Sequence, residues 1–397
     1  MNKKLIPAAF LLSMVLASCG GTSTPNKEKA LVFFNRQPSD PTTGVIDSTT
    51  MGFSDKTFYV GFDAAAGGDV QGTMITDYLK TKTIAELDKD GDGKLGYVLC
   101  IGDVGHNDSK ARTKGIRKAL GTLKDDSTDP TVKQEGSVAV KDGTLPVVEL
   151  AAAAMTGSDG STWNADKAKE TATSWISSLG TKINMFVSNN DGMAMGCLST
   201  TSYPTGTPIF GYDANADAVA AIGTGKMTGT VSQNVDAQAA GTLQVIRNIY
   251  DGATGSDIYT KGFTTADSYG NKISASMSYI SASKAILAAN SAVTKANWED
   301  YKEGSRDAGI KDITASAKKI KIWIDLYNGS DNFLSSSYKP ALQYYAAKMN
   351  ITMNLVNGDG QSENSVSDNF VNLDNYDGYA VNMVKTNSGS LYTGKLA

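Results

Sequence analysis

Tyr97-Val98-Leu99-Cys100-Ile101-Gly102-Asp103-Val104-Gly105-His106-Asn107-Asp108-Ser109-Lys110-Ala111-Arg112 carries three signals in one stretch. Residues 97–101 form an apolar run of the kind a buried strand needs. A glycine-bearing polar turn follows, and helical spacing of apolar residues then runs over 109–122. Strand, polar turn and helix in that order are the unit of a parallel sheet covered by helices.

The same unit recurs along the chain. Strands are expected at 31–35, 58–62, 97–101, 145–150, 183–188, 208–212, 272–280, 320–326, 350–355 and 377–383. Helices are expected at 70–82, 109–122, 165–178, 234–250, 332–348 and 387–396. With 397 residues, two α/β lobes are the natural reading. The 41% apolar and 20% charged fractions fit a compact globular chain. A formal charge of −4 argues against a phosphate-backbone partner, so no nucleic acid is expected.

Residues 1–19 have the form of an export signal: Asn2-Lys3-Lys4, the apolar run Leu5–Leu16, then small residues before Cys19. That run is shorter than the roughly 20 residues that span a bilayer. Leu16-Ala17-Ser18-Cys19-Gly20 reads as a bacterial lipoprotein processing box, with Cys19 as the acylated residue. A polar tether over 20–30 follows. Cys100 and Cys197 each sit in apolar surroundings and are expected as free, structural thiols.

The densest polar clusters fall just after expected strands: Phe33-Phe34-Asn35, Gly105-His106-Asn107-Asp108 with Arg112, Ser188-Asn189-Asn190-Asp191, Gly211-Tyr212-Asp213, and Asp331-Asn332-Phe333. In doubly wound folds ligands bind at the carboxyl ends of the strands. Each cluster mixes donors with acceptors, which suits a sugar, whose every hydroxyl is both. Phe333 and Trp163 are the aromatic candidates for the apolar faces of a ring. Taken singly, Asp108 and Asp331 also read as helix caps. His106, the only histidine, cannot build a multi-histidine metal site and reads equally as a structural residue.

Leu87 is followed by a calcium-loop beginning, with Asp88, Asp90 and Asp92 at positions 1, 3 and 5, a glycine at 6 and Lys94 at 7. Positions 9 and 12, Gly96 and Leu99, bring no side-chain ligand.

Together these clusters resemble the periplasmic glucose/galactose-binding proteins across nearly all of 31–397. The most specific pieces are Val32-Phe33-Phe34-Asn35, Tyr59-Val60-Gly61, Gly105 to Asp108 with Arg112, Asn189 to Gly196, and Phe210-Gly211-Tyr212-Asp213. The resemblance implies an α/β fold of two doubly wound parallel-sheet lobes joined by a three-segment hinge, the type I periplasmic binding fold. It implies sugar contacts from Asn35, His106, Asp108, Arg112, Asn190, Asp213 and Asp331, with Trp163 and Phe333 on the ring faces. An Asn contact of the family is replaced here by Gln233, or by Asn234 if the strand shifts. The family's calcium site adds a Gln and a Glu where this chain has Gly96 and Asn184, so a calcium site on Asp88, Asp90, Asp92 and Lys94 would be weak.

The family's opening unit has its counterpart here in Ile320–Met349, near the end, so the chain reads as circularly permuted. The expected division is 31–61 with 233–276 and 320–397 in one lobe, 62–232 with 277–297 in the other, and 298–319 as the permutation linker. The expected partners are D-glucose or D-galactose, an ABC permease, a chemoreceptor using the same closed form, and the membrane through lipid on Cys19. The expected state is a monomeric, lipid-anchored periplasmic protein that needs no cofactor.

The rival reading is a carbohydrate-active enzyme with an acidic pair drawn from Asp108, Asp213 and Asp331. Against it, Arg112 is expected to hold a neighbouring carboxylate ionised, unlike a general acid. A sugar-sensing transcription regulator is opposed by the export signal and by the lack of a helix-turn-helix segment.

Overall fold

The computed structural model describes residues 24–124, 134–263, 277–302, 318–360 and 362–397. Among these described residues, fourteen strands form two seven-stranded sheets. In chain order they are β1 Ala30–Phe34, β2 Thr57–Phe62, β3 Leu95–Ile101, β4 Gly136–Val140, β5 Gly143–Ala154, β6 Met185–Ser188 and β7 Ile209–Phe210. There follow β8 Gly229–Ser232, β9 Met277–Ile280, β10 Ala285–Ala288, β11 Ser291–Thr294, β12 Ile320–Leu326, β13 Ile351–Asn357 and β14 Gly378–Val381.

The first sheet has the order β13-β12-β14-β1-β2-β10-β9 and the second β11-β8-β7-β6-β3-β5-β4. Neighbours are parallel except β9, β4 and β11, each antiparallel to its partner at a sheet edge. Strands buried on both faces need continuous apolar runs, and β1 (Ala-Leu-Val-Phe-Phe) is fully buried along its length. The first lobe's core centres on Trp323, whose indole N–H is satisfied by Asn369 O at 3.1 Å. Helix Val235–Tyr250 covers one face of that sheet.

In the second lobe, helices Ala64–Lys80 and Asn107–Ala119 lie on one face, Ala165–Leu179 and Asp191–Leu198 on the other. The first two approach so closely that a Cβ on Gly115 would lie 2.3 Å from the Gly68 carbonyl carbon. Only glycine permits that contact.

Three crossings join the lobes: β2 to Ala64–Lys80, β8 to Val235–Tyr250, and β10 to β11. Asn290, in the third crossing, donates to Asp63 O at 3.0 Å in the first and accepts from Tyr212 Oη at 2.7 Å. Few residues absorb the change of direction, as in a hinge.

All the expected strands and helices that lie in described residues have counterparts, with ends shifted. Four strands were not foreseen: β4, β8, β10 and β11. The expected strand 272–280 is described only over Met277–Ile280, and the linker 298–319 only at its two ends. Helix 332–348 opens with a π turn, Leu334–Tyr338, before Lys339–Lys348.

Two boundaries are corrected. Residues 277–288, assigned above to the second lobe, complete the first sheet: β10 pairs with β2, and β9 with β10. The tether expected over 20–30 is already structured from Asn26, whose amide reaches Asp374 at 2.8 Å, and Lys29 is buried. Residues 1–23, with Cys19, lie outside the described residues. No helix among the described residues is long and apolar enough to cross a membrane.

Candidate ligand cleft between the lobes

The carboxyl ends of both sheets meet at a cavity of about 40 Å3. Asn35, His106, Asp108, Arg112, Trp163, Asn190, Asp213, Gln233, Asp331 and Phe333, the ten residues named from sequence, all line it. Arg36, Tyr327 and Leu334 complete the wall. The first lobe brings Asn35, Arg36, Tyr327, Asp331 and Phe333; the second brings His106, Asp108, Arg112, Trp163, Asn190 and Asp213.

Local chemistry fixes these positions. His106 caps helix Asn107–Ala119 by accepting Asp108 N at its Nδ1 (3.1 Å), so Asp108 is left free of that task. Asn190 caps the next helix through Met193 N at 2.9 Å. Asp331 does serve as a cap, accepting Leu334 N at 2.9 Å, while its other oxygen takes Tyr327 Oη at 3.3 Å. Asn35, Trp163 and Asp213 all hold positive φ, at 60°, 58° and 120°. Such conformations are disfavoured for side-chain-bearing residues and gather where surrounding structure enforces them. Trp163 seats against Gly102, where a Cβ would come within 2.3 Å of the indole.

Arg112 organises the second lobe's half. Its Nη1 donates to Asn189 O at 2.8 Å and lies 3.5 Å from Asp213 Oδ1, and its guanidinium stacks 3.6 Å from the Tyr212 ring. Asp213 also accepts Gln233 Nε2 at 2.6 Å. Asn189 Oδ1 gathers Gly102 N, Ser109 Oγ and Thr113 Oγ1. In the first lobe Arg36 lies 3.6 Å over the Tyr327 ring and donates to Val384 O.

Arg112 Nε, Trp163 Nε1 and Gln233 Oε1 are buried without a protein partner. Buried polar groups are normally satisfied, so orphans converging on one cavity point to a polar ligand.

Burial dominates the electrostatics. It pushes the Asp213 carboxyl up to about 7, against the opposing pull of Arg112. It also raises Asp108 and Asp331, against Arg112 and Arg36 for the first and a backbone hydrogen bond for the second. This corrects the expectation that Arg112 alone would hold a neighbouring carboxylate ionised: desolvation outweighs the single cation. His106 is pushed far down by burial and by Arg36, Arg112 and Lys110, so its imidazole is neutral. The site therefore offers a neutral imidazole, guanidinium and amide donors, and carboxyls raised in pKa.

The lobes also touch beside the cavity. Asn107 Nδ2 donates to Ser39 Oγ at 2.8 Å, and Lys110 Nζ donates to Pro41 O at 2.8 Å.

The acidic loop differs in kind. The carboxylates of Asp88, Asp90 and Asp92 lie within 4.8 Å of one another near the surface. The two Asp88 oxygens already accept Gly91, Asp92 and Gly93 N–H groups. Gly96 N donates to Asn184 Oδ1 at 2.7 Å, so the two departing positions satisfy each other. Lys94 pairs with Glu135 at 2.5 Å. Among the described residues no bidentate carboxylate completes the loop, and these donors do not fit a full calcium shell.

Two seven-stranded lobes, three crossings and a buried polar-aromatic cavity define a hinged ligand-binding protein. The chain belongs to the periplasmic binding protein family: residues 31–254 match one periplasmic binding protein domain, and residues 318–389 match a second of the same description. Membership implies a periplasmic location and a family of binders rather than enzymes.

The D-galactose/methyl-galactoside binding periplasmic protein of Haemophilus influenzae is 29% identical over 229 residues, 57% of this chain and 58% of that one. The chain thus spans well under two thirds of that relative. A xylitol-binding protein of Mycolicibacterium smegmatis is 35% identical over 89 residues, 22% and 26% of the two chains. A Bacillus halodurans solute-binding protein solved with myo-inositol shares 18% identity, with a TM-score of 0.43 over 69% of this chain and 68% of that chain.

Proposed function

We propose that the chain is the sugar-binding receptor of an ABC importer, taking D-glucose or D-galactose between its lobes and handing it to a membrane permease. The observation that carries this reading is the set of buried, unpartnered donors and acceptors on one cavity whose wall also holds Trp163 and Phe333. Hydroxyls meet Asp108, Asp213, Asp331, Asn35, Asn190 and Gln233, while the two aromatic rings cover the C–H faces. His106 and Arg112 supply donors. Both lobes contribute to the wall, so the ligand enters with the lobes apart and favours the closed arrangement that completes its hydrogen bonds.

The named ligands of the relatives, a galactoside and a polyol, agree with this class. Acylation of Cys19 would hold the receptor at the membrane, a monomer able to present the same closed form to a chemoreceptor.

Circular permutation is part of the proposal. It is supported by β14 lying parallel beside β1, and by helix Gly389–Leu396 standing where the helix between two adjacent parallel strands belongs.

Calorimetric titration of the full chain with glucose, galactose, ribose and arabinose tests the reading. Micromolar or tighter binding of a hexose supports it. Heat from none of the four overturns it.

A further inference from the structure

Cys100 and Cys197 stand 97 residues apart in the chain, and the fold brings their sulfurs to 3.5 Å. The contact follows from the pleat. Along β3, Tyr97 and Leu99 face one side while Val98 and Cys100 face the other, towards helix Asp191–Leu198. That helix lays Met193, Ala194 and Cys197 onto the sheet. Both cysteines are at most 1% exposed and neither lines the cleft. The binding mechanism leaves them unused.

We propose that Cys100 and Cys197 are joined by a disulfide bond in the mature protein. A disulfide needs its sulfurs about 2 Å apart, so closing this pair takes a movement of about 1.5 Å, within the reach of side-chain rotation. The compartment implied by family membership is one where such bonds form and persist. The inference rests on that location and not on which ligand the cleft takes.

The chemistry needs a disulfide-bearing oxidant, a thiol–disulfide exchange protein. One cysteine, as thiolate, attacks the oxidant's disulfide, forming a mixed disulfide and releasing one oxidant thiol. The second cysteine then attacks the mixed disulfide, closing the Cys100–Cys197 bond and releasing the other. The two cysteine thiols give up two electrons and two protons, and the oxidant leaves as a dithiol. Thiols buried this deeply are closed to exchange, so the bond forms before the lobe's core closes and is protected afterwards.

Its position gives it a role. Cys100 O accepts Asn189 N at 2.9 Å, and Asn190 begins the helix that carries Cys197. The bond ties the strand leading to the His106 turn to the helix leading from the Asn190 turn. It encloses a loop that includes Trp163.

Peptide mapping decides the matter. The full chain, prepared from an oxidising compartment, is denatured in iodoacetamide without reductant and digested. The expected product is a linked peptide pair containing Cys100 and Cys197, two hydrogens lighter than the sum of its parts. Recovery of both cysteines as alkylated peptides overturns the proposal, and so does a link from either of them to Cys19.

With the linked pair in hand, unfolding and refolding in reductant is expected to lower the melting temperature of the wild-type chain by roughly 5–10 °C. It should leave that of Cys197→Ala unmoved. A sugar titration on the same sample reads the cleft separately, so failure of one proposal is distinguishable from failure of the other.

Discussion

Two groups of three aspartates stand in this molecule and do opposite things. Asp108, Asp213 and Asp331 are gathered from distant turns into the cleft, Asp213 buried and the other two half-buried, and all three are pushed upward in pKa. Asp88, Asp90 and Asp92 come from one short loop and lie near the surface. In sequence the second group looks like the stronger site, because its spacing matches a known motif. In space the first group has the features of a binding site: buried orphan partners, a wall drawn from both lobes and aromatic neighbours. Proximity in sequence reported a turn, whereas convergence at strand ends assembled the cleft wall.

The comparison can be broken most forcefully at Arg112. Replacing it with Met strands Asp213 and Asn189 O in a dry interior, and removing one partner of a buried pair costs about 3–5 kcal/mol. Urea denaturation is expected to register that loss. A change under about 1 kcal/mol would mean that the cleft's charges are better hydrated than their burial indicates.

Next in size is Asp213→Asn. Losing a charged acceptor for a sugar hydroxyl is worth about 1.5–3 kcal/mol, a roughly 10- to 150-fold weaker affinity by calorimetry. Unaltered affinity would remove Asp213 from the ligand's shell.

The same carboxyl predicts a pH effect. Its ligand-free pKa is about 7, and hydroxyls donating to it favour the ionised form, so the pKa falls on binding. Sugar uptake near pH 6 should therefore release up to about one proton, and affinity should weaken as pH falls through 7. Titrations in buffers of different ionisation enthalpy count that proton; a count of zero, or proton uptake, contradicts the assignment.

The smallest effect belongs to the surface loop. Asp90→Asn is expected to change stability by less than about 0.5 kcal/mol and to leave sugar affinity equal in calcium and in chelator. A drop in affinity on chelation would mean that a metal at this loop is coupled to the cleft.

The comparison also explains what was legible beforehand. Strand, turn and helix succeed one another regularly enough that most polar turns at strand ends can be located by reading along the chain. That is why residues read from distant turns converge on one cavity, while Gln233, just beyond the unforeseen β8, came only from the resemblance. Arg36 and Tyr327 escaped because each is the residue beyond a strand end that already had a better-known candidate nearby. Strands β8, β10 and β11 are short and rich in Gly, Ala, Ser and Thr, so their pairing comes from neighbours rather than from their own apolar pattern. The lobe boundary at 277–288 was misread for the same reason. The upward shift of the cleft carboxyls was invisible too, since sequence displays the nearby arginine but not the depth of burial.

The neighbours of β1 carry a further consequence, one of timing. The second sheet is complete once β11 has been made, at residue 294. The first sheet receives its opening strand at residue 30 and that strand's partner β14 only at 378–381. As the chain emerges from its N-terminus, one flank of a fully apolar strand waits through most of synthesis for its cover, while the second lobe can close first. Unpaired edges of that kind invite wrong association. Chain order thus lets the second lobe close while the flank of β1 that β14 covers is still open.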